Sequence, residues 1–195
     1  MEAINKKGRI IIVSAASGAG KTSILKRVFM RLDWLEYSVS CTTRPKRAGE
    51  REGVDYFFLS QRDFFRMRDN GEFAEWKEVH GNYYGTPKSY LNGKIENGSI
   101  VVLDIDVQGR KELHSSFPEA AGIFIMPPSL EELERRLRSR GTDSSEVISL
   151  RMSNAKKEIE EYERCGLYSY TVVNGDLMRA VDETEGIIKK IAGRV

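Results

Sequence analysis

The sequence predicts an α/β protein, a parallel β-sheet flanked by helices with a small α+β lobe inserted, and three observations carry this expectation. Ile10 to Val13 are four consecutive β-branched apolar residues, as in a strand buried on both faces. A loop of small residues, Ser14-Ala15-Ala16-Ser17-Gly18-Ala19-Gly20, joins that strand to Lys21-Thr22 and an amphipathic run. From residue 100 onward strand-like and helix-like stretches alternate, which requires crossover connections and parallel neighbours.

Taken in order, the first helix opens at Lys21 and presents Ile24, Leu25, Val28, Phe29 and Leu32 on one side. Tyr37 to Thr43 alternates and predicts a strand, followed by a charged, turn-rich loop from Arg44 to Gly53. Asp55 to Leu59 reads as strand. Ser60 with Asp63 predicts the N-cap of a helix ending at Asn70-Gly71. Strands Phe73 to Val79 and Asn82 to Gly85 are joined by a tight turn at His80-Gly81. Thr86-Pro87 predicts a helix start with Pro at its first position, running to about Asn97. Ile100 to Ile105 is strand, Gln108 to Phe117 helix, and Gly122 to Met126 strand, halted by Pro127-Pro128. Ser129 with Glu132 predicts a capping box for a helix broken at Gly141, and Asp143 with Glu146 predicts the cap of a longer one reaching Cys165. Tyr170 to Val173 is the last strand, and a helix closes the chain after Asp176.

The chain has 195 residues, 40% hydrophobic and 31% charged, which suits one globular unit. Its 31 Lys and Arg against 29 Asp and Glu give a net charge of +2, too balanced to indicate nucleic acid. No apolar run approaches 18 residues, and the start is short, polar and basic. Neither a membrane span nor a signal peptide is expected. Cys41 and Cys165 stand alone, without a C-x-x-C pair or a His cluster. Free thiols in a cytoplasmic protein are expected rather than a zinc site.

Strand, small-residue loop, Lys-Thr and helix in that order make a phosphate-binding P-loop. Backbone N–H groups and the helix N-terminus attract phosphate oxygens, and small side chains leave room for them. Ala15 to Ser23 are the candidate phosphate contacts: Ala15, Ala16, Ser17, Gly18, Ala19, Gly20, Lys21, Thr22 and Ser23. Lys21 would reach the terminal phosphates, and the Thr22 hydroxyl would ligate Mg²⁺. The full pattern asks for Gly at position 15, so the first turn must be one an L-residue tolerates. Leu103-Asp104-Ile105-Asp106 ends another buried strand, where α/β proteins gather their ligands. Asp104 is therefore a candidate for Mg²⁺, directly or through water. Asp104 and Asp106 are two residues apart, so both could face the site, with a helix N-cap as the alternative role.

Arg44, Lys46, Arg47 and Arg51, near Tyr56, Tyr83 and Tyr84 in sequence, suit either a second phosphate or a solvated loop. Arg135, Arg136, Arg138, Arg140 and Arg151 flank Gly141. Arg136 and Arg140 share a helix face and could neutralise transferring phosphoryl groups; for Arg135 and Arg138 a solvated face is the expectation. Glu75, between Phe73 and Trp76, is expected in a partly dry strand where a carboxylate needs a partner, a surface Lys or Arg being one alternative.

The segments SVSCTTRPKRAGEREGVDYFF, GNYYGT, LDIDVQG and RLRSRGTDSSE, in this order behind the P-loop, resemble the guanylate kinase family across nearly the whole chain. The resemblance implies a P-loop NTPase-type core (1–37, 88–134 and 159–195), a GMP-binding lobe (38–87) and a lid (135–158). It implies phosphoryl transfer from ATP to GMP with Mg²⁺, giving ADP and GDP, with dGMP as a further acceptor. Arg44, Arg47, Tyr56 and Tyr84 match the family's ligands of the GMP phosphate. Ser40, Glu75, Thr86 and Asp106 match its guanine contacts. Arg136, Arg140 and Arg151 match its lid and transfer arginines, and Asn174 lies where the family approaches adenine. Lys21, Arg44, Arg136, Arg140 and Arg151 thereby become the expected catalytic cations. Three departures stand out: Ala15-Ala16 replaces Gly-Pro, Pro45-Lys46 changes the spacing before Arg47, and Thr86 replaces a frequent Ser. A catalytically silent relative that binds phosphorylated partners is the alternative from another class, and it would not need Lys21 or the lid arginines.

Overall fold

Ile10 and Ile12 pack on one side of the first strand and Ile11 and Val13 on the other, so the β-branched run joins two separate apolar layers. The computed structural model describes residues 7–139, 141 and 143–194. In chain order the elements are β1 (Arg9–Ala15), α1 (Lys21–Arg31), β2 (Leu35–Tyr37), β3 (Cys41–Thr42), β4 (Phe57–Phe58), α2 (Gln61–Asp69), β5 (Phe73–Val79) and β6 (Asn82–Pro87). There follow α3 (Lys88–Glu96), β7 (Ile100–Asp104), α4 (Val107–His114), β8 (Ala121–Met126), α5 (Leu130–Ser139), α6 (Ser145–Cys165), β9 (Tyr170–Val173) and α7 (Leu177–Ala192).

Five strands form a parallel sheet in the order β2-β7-β1-β8-β9. The layer on one face holds Ile24, Leu25 and Val28 of α1, Leu133 and Leu137 of α5, and Val181 and Ile188 of α7. The layer on the other face holds Leu91 of α3 and Leu113 of α4. Four further strands form a second, mixed sheet in the order β4-β3-β6-β5, with a small core of its own. In that core Phe64 stacks on Phe73 at 4.5 Å between ring centroids.

Several local expectations meet their physical cause. Ser60 caps α2, its hydroxyl accepting from Asp63 N at 3.1 Å and donating to the Asp63 carboxylate at 2.6 Å. Ser129 accepts from Glu132 N at 3.1 Å at the start of α5. Asp176 caps α7 through Arg179 N at 2.9 Å.

Three expectations are corrected. The strand expected over 37–43 is broken: β2 ends in the large sheet, Ser38 N still donates to Val102 O of β7, and β3 then pairs with β6 in the other sheet. Alternation alone cannot reveal that a chain changes sheets within one extended run. Thr86-Pro87 does not begin a helix. Both end β6. Pro87 takes the N-cap position of α3 and, with an apolar ring, makes no side-chain cap bond, while the Thr86 hydroxyl is committed to Glu75. Ser144, not Asp143, caps α6, accepting from Val147 N, while Asp143 pairs with Arg151 at 3.3 Å.

Candidate functional site

Gly18 and Gly20 adopt φ of 85° and 96°, a region that side chains with a Cβ avoid. At Gly20 a Cβ would also strike the Asn174 amide, and at Gly18 it would lie 3.0 Å from Leu137 Cδ2. Ala15 ends β1 in a buried position with no left-handed backbone, so the missing glycine costs nothing there. Asn174, buried beyond β9, supports the loop from beneath: its side-chain N–H donates to Ala19 O at 2.7 Å. Gly20 is the N-cap of α1 and offers no side-chain bond. The first N–H groups of α1 therefore open onto a cavity of about 300 Å³ lined by Ala15 to Ser23, Arg151 and Glu158.

Two of the chain's own carboxylates attend this anion site. Ser17 N–H donates to Glu158 Oε2 of α6 at 2.7 Å. Burial pushes the Glu158 carboxyl up, against the pull of the Ser17 N–H and of Lys21. Lys21 Nζ pairs with Asp104, where β7 ends. Lys21 is thus a partly buried, paired lysine.

Beyond Asp104 opens a second cavity, of about 320 Å³, lined by Ser40, Tyr56, Glu75, Lys77, Tyr84, Thr86 and Asp104 among others. A bulge at Ala74 shifts the register of β5, so that Glu75 faces Thr86 across the ladder. Glu75 is only 6% exposed. The Thr86 hydroxyl donates to Glu75 Oε1 at 2.6 Å, which leaves Ser40 as donor in its 3.2 Å contact with Thr86. Burial pushes the Glu75 carboxyl up, and the Thr86 bond and the charge of Lys77 oppose it. The partner of Glu75 is this hydroxyl chain rather than a surface Lys or Arg salt bridge.

Asp106 is both a helix N-cap and the partner of a lysine. Its Oδ1 accepts from Gly109 N at 2.9 Å as the N-cap of α4, and its Oδ2 accepts from Lys77 Nζ at 3.0 Å. Burial works against its charge, but the Gly109 N–H and Lys77 hold it below the usual carboxylate range.

The arginines divide by environment. Arg44 donates to Glu50 Oε1 and to Pro45 O, both at 2.7 Å, and its guanidinium lies 5.5 Å over the Tyr56 ring. Tyr56 in turn meets Tyr84 edge-on at 5.9 Å. Glu50 also accepts from Arg47 N at 2.8 Å and so shapes the loop, whereas the Arg47 side chain is exposed. Arg136 is held by Glu132 and by the carbonyls of Asn174 and Gly175, at 2.7 to 2.9 Å. With Asn174 it lines a cavity of about 180 Å³ on the Gly18–Gly20 side of the loop. Arg135 and Arg138 face solvent, paired with Glu132 and Glu134. Arg140 lies outside the described residues.

The phosphate-loop residues with Arg151, and Ser40, Tyr56, Glu75, Tyr84, Thr86 and Asp104, line two hollows at the carboxyl ends of β1 and β7, with the Lys21–Asp104 pair at their junction; Arg44, Arg47 and Asp106 line neither. A larger cavity, about 510 Å³, sits at the opposite end of the sheet beside Arg9 and Phe117 and holds none of them. Sequence reasoning missed Lys77, Glu50 and Glu158. Lys77 carried a legible signal, since it lies two residues from Glu75 on one strand face. Glu158 carried none, because its partner is 141 positions away. Among the described residues no group of three or more His, Cys, Asp or Glu could hold a metal ion, and no helix is long and apolar enough to cross a membrane.

The guanylate kinase family model matches residues 7–191. A guanylate kinase of Aromatoleum aromaticum is 46% identical over 93% of this chain and 88% of its own length. One from Thermotoga maritima is 41% identical over 97% and 90%. The crystal structure of guanylate kinase from Anaplasma phagocytophilum superposes with a TM-score of 0.68 at 35% identity, covering 95% of this chain and 87% of that one. On the match along its length and on these relatives, the chain belongs to the guanylate kinase family.

Proposed function

We propose that this protein transfers the terminal phosphoryl group of ATP to GMP, giving ADP and GDP, in the synthesis and recycling of guanine nucleotides. The observation that carries the reading is the pair of cavities meeting at Lys21 and Asp104, one built of backbone N–H groups and one of side chains that complement guanine. ATP phosphates occupy the loop from Ala15 to Ser23, with the base toward Asn174. GMP occupies the second cavity, its phosphate on Arg44, Arg47, Tyr56 and Tyr84 and its base on Ser40, Glu75, Thr86 and Asp106. Residues 38–87 act as the GMP lobe and 135–158 as the lid, against a core of 1–37, 88–134 and 159–195. The lid brings Arg136, Arg140 and Arg151 to the transferring group.

The attacking oxygen of GMP is already anionic, so no side-chain base is required. Two polyanions must be held in line despite their repulsion, and cations from three parts of the chain serve that purpose. Mg²⁺ fits the donors present, an exposed Thr22 hydroxyl at the start of α1 and the Asp104 carboxylate, both hard oxygen ligands. Bound there, it neutralises phosphate charge. Glu75 selects the base: guanine offers N1–H to its carboxylate and a 2-amino group to Asp106 beside it, whereas adenine presents a lone pair at N1. The two thiols, one buried and one partly buried, are free, in keeping with a cytoplasmic enzyme. An assay of ADP release with GMP, AMP, CMP and UMP in parallel tests the reading. Turnover with GMP far above the others is expected, and equal or absent turnover would remove it.

A further inference from the structure

Resting on the assignment of GMP as acceptor, we propose that Lys77 is the positioning residue that lets the acceptor site recognise the 2-amino group of guanine. Glu75 and Lys77 alternate onto one face of β5 and line the same cavity. Lys77 Nζ donates to Asp106 Oδ2 at 3.0 Å, while Asp106 Oδ1 is held by Gly109 N at 2.9 Å. Two donors from two elements, the lobe strand and the start of α4, thus fix the plane of one carboxylate.

Gly109 shows how closely the acidic groups converge. A Cβ there would lie 3.4 Å from Glu75 Oε2 and 3.5 Å from Asp106 Oδ1. Two carboxylates approaching one bare Cα repel each other, and among the described residues Lys77 is the cation bonded to this pair. Glu75 Oε2 accepts no hydrogen bond among the described residues, and Asp106 Oδ2 keeps a lone pair beyond Lys77. The two oxygens match the row of donors on guanine, N1–H for Glu75 and the 2-amino group for Asp106. Without Lys77 only the helix cap restrains Asp106, and repulsion from Glu75 turns its second oxygen out of register with the base.

Inosine 5′-monophosphate isolates this contact, since it keeps N1–H and O6 and lacks only the 2-amino group. Initial rates with GMP and with inosine 5′-monophosphate, at saturating ATP, are to be measured for wild type, Lys77→Met and Lys77→Arg. The expected result is a fall of about tenfold in the GMP-to-inosine ratio of kcat/KM for Lys77→Met, most of it in KM for GMP. Lys77→Arg should recover most of the ratio, and in an Asp106→Asn background Lys77→Met should change it no further. A wild-type preference for GMP that survives Lys77→Met within about twofold would overturn the role of Lys77 alone. So would an equal loss of kcat for both substrates, which places Lys77 in phosphoryl transfer instead. Wild type that turns over neither nucleotide would overturn the acceptor assignment, and this inference with it.

Discussion

The two cavities are built by opposite means. The loop from Ala15 to Gly20 offers main-chain N–H groups, and its sequence requirement is mostly for what must be missing: bulk, and a Cβ at Gly18 and Gly20. The hollow beside β5 is lined by polar side chains, Ser40, Thr86 and Glu75 joined by hydrogen bonds and Lys77 bonded to Asp106 behind it. A backbone site tolerates exchange among small residues, as Ala15 shows. A side-chain site tolerates little, because each buried polar group needs its partner.

The sharpest way to separate them is Lys21→Met, which leaves both cavities and removes the cation at their junction. Turnover should fall by about a thousandfold, with the melting temperature within a few degrees of wild type. Near-normal kcat would mean that phosphoryl transfer does not depend on Lys21. Glu75→Gln strikes the second cavity alone, exchanging an acceptor for a donor facing guanine. The kcat/KM for GMP should drop about a hundredfold while that for AMP moves little, narrowing the preference by a few kcal/mol at most. If both values and their ratio stayed put, Glu75 would not read the base.

A smaller effect tests whether the loop depends on hidden side chains. Asn174→Ala removes the donor to Ala19 O and should raise KM for ATP about tenfold, leaving KM for GMP alone. An unchanged KM for ATP would mean that the loop holds its shape unaided. Smallest is Glu158→Gln. It weakens an internal anion that competes with phosphate for the Ser17 N–H, so calorimetry should show ATP binding a few-fold tighter. Weaker binding would show Glu158 to be an ally of the nucleotide.

The same contrast explains what the sequence disclosed. The P-loop, the helix caps at Ser60 and Ser129, and strands β5 and β9 were legible because their causes lie within a few residues. The change of sheet after Tyr37 was not, since Cys41 is strand because Phe57 of β4 and Gly85 of β6 lie beside it. Thr86 was misplaced as a helix start for a related reason. Its hydroxyl answers to Glu75, eleven positions earlier, and the bulge that aims Glu75 depends on pairing with β6. Most residues of the candidate site were named by resemblance to a family. Resemblance could not reveal that Arg136 is occupied by the carbonyls of Asn174 and Gly175, or that Asp106 leans on Lys77.

The smaller sheet carries a private apolar core of Cys41, Phe64 and Phe73, shared with neither face of the larger one. The chain leaves the large sheet after Tyr37 and rejoins it through α3. The two sheets still meet along β5, where Ala74 enters the large sheet's core and Trp76 and Lys77 bond to Glu112 and Asp106. Substitutions that retune Ser40, Glu75 or Thr86 leave the packing beneath the phosphate loop untouched. Where the small sheet holds the acceptor base, as proposed, substitutions that change its choice of base would touch a core distinct from the one beneath the phosphate loop.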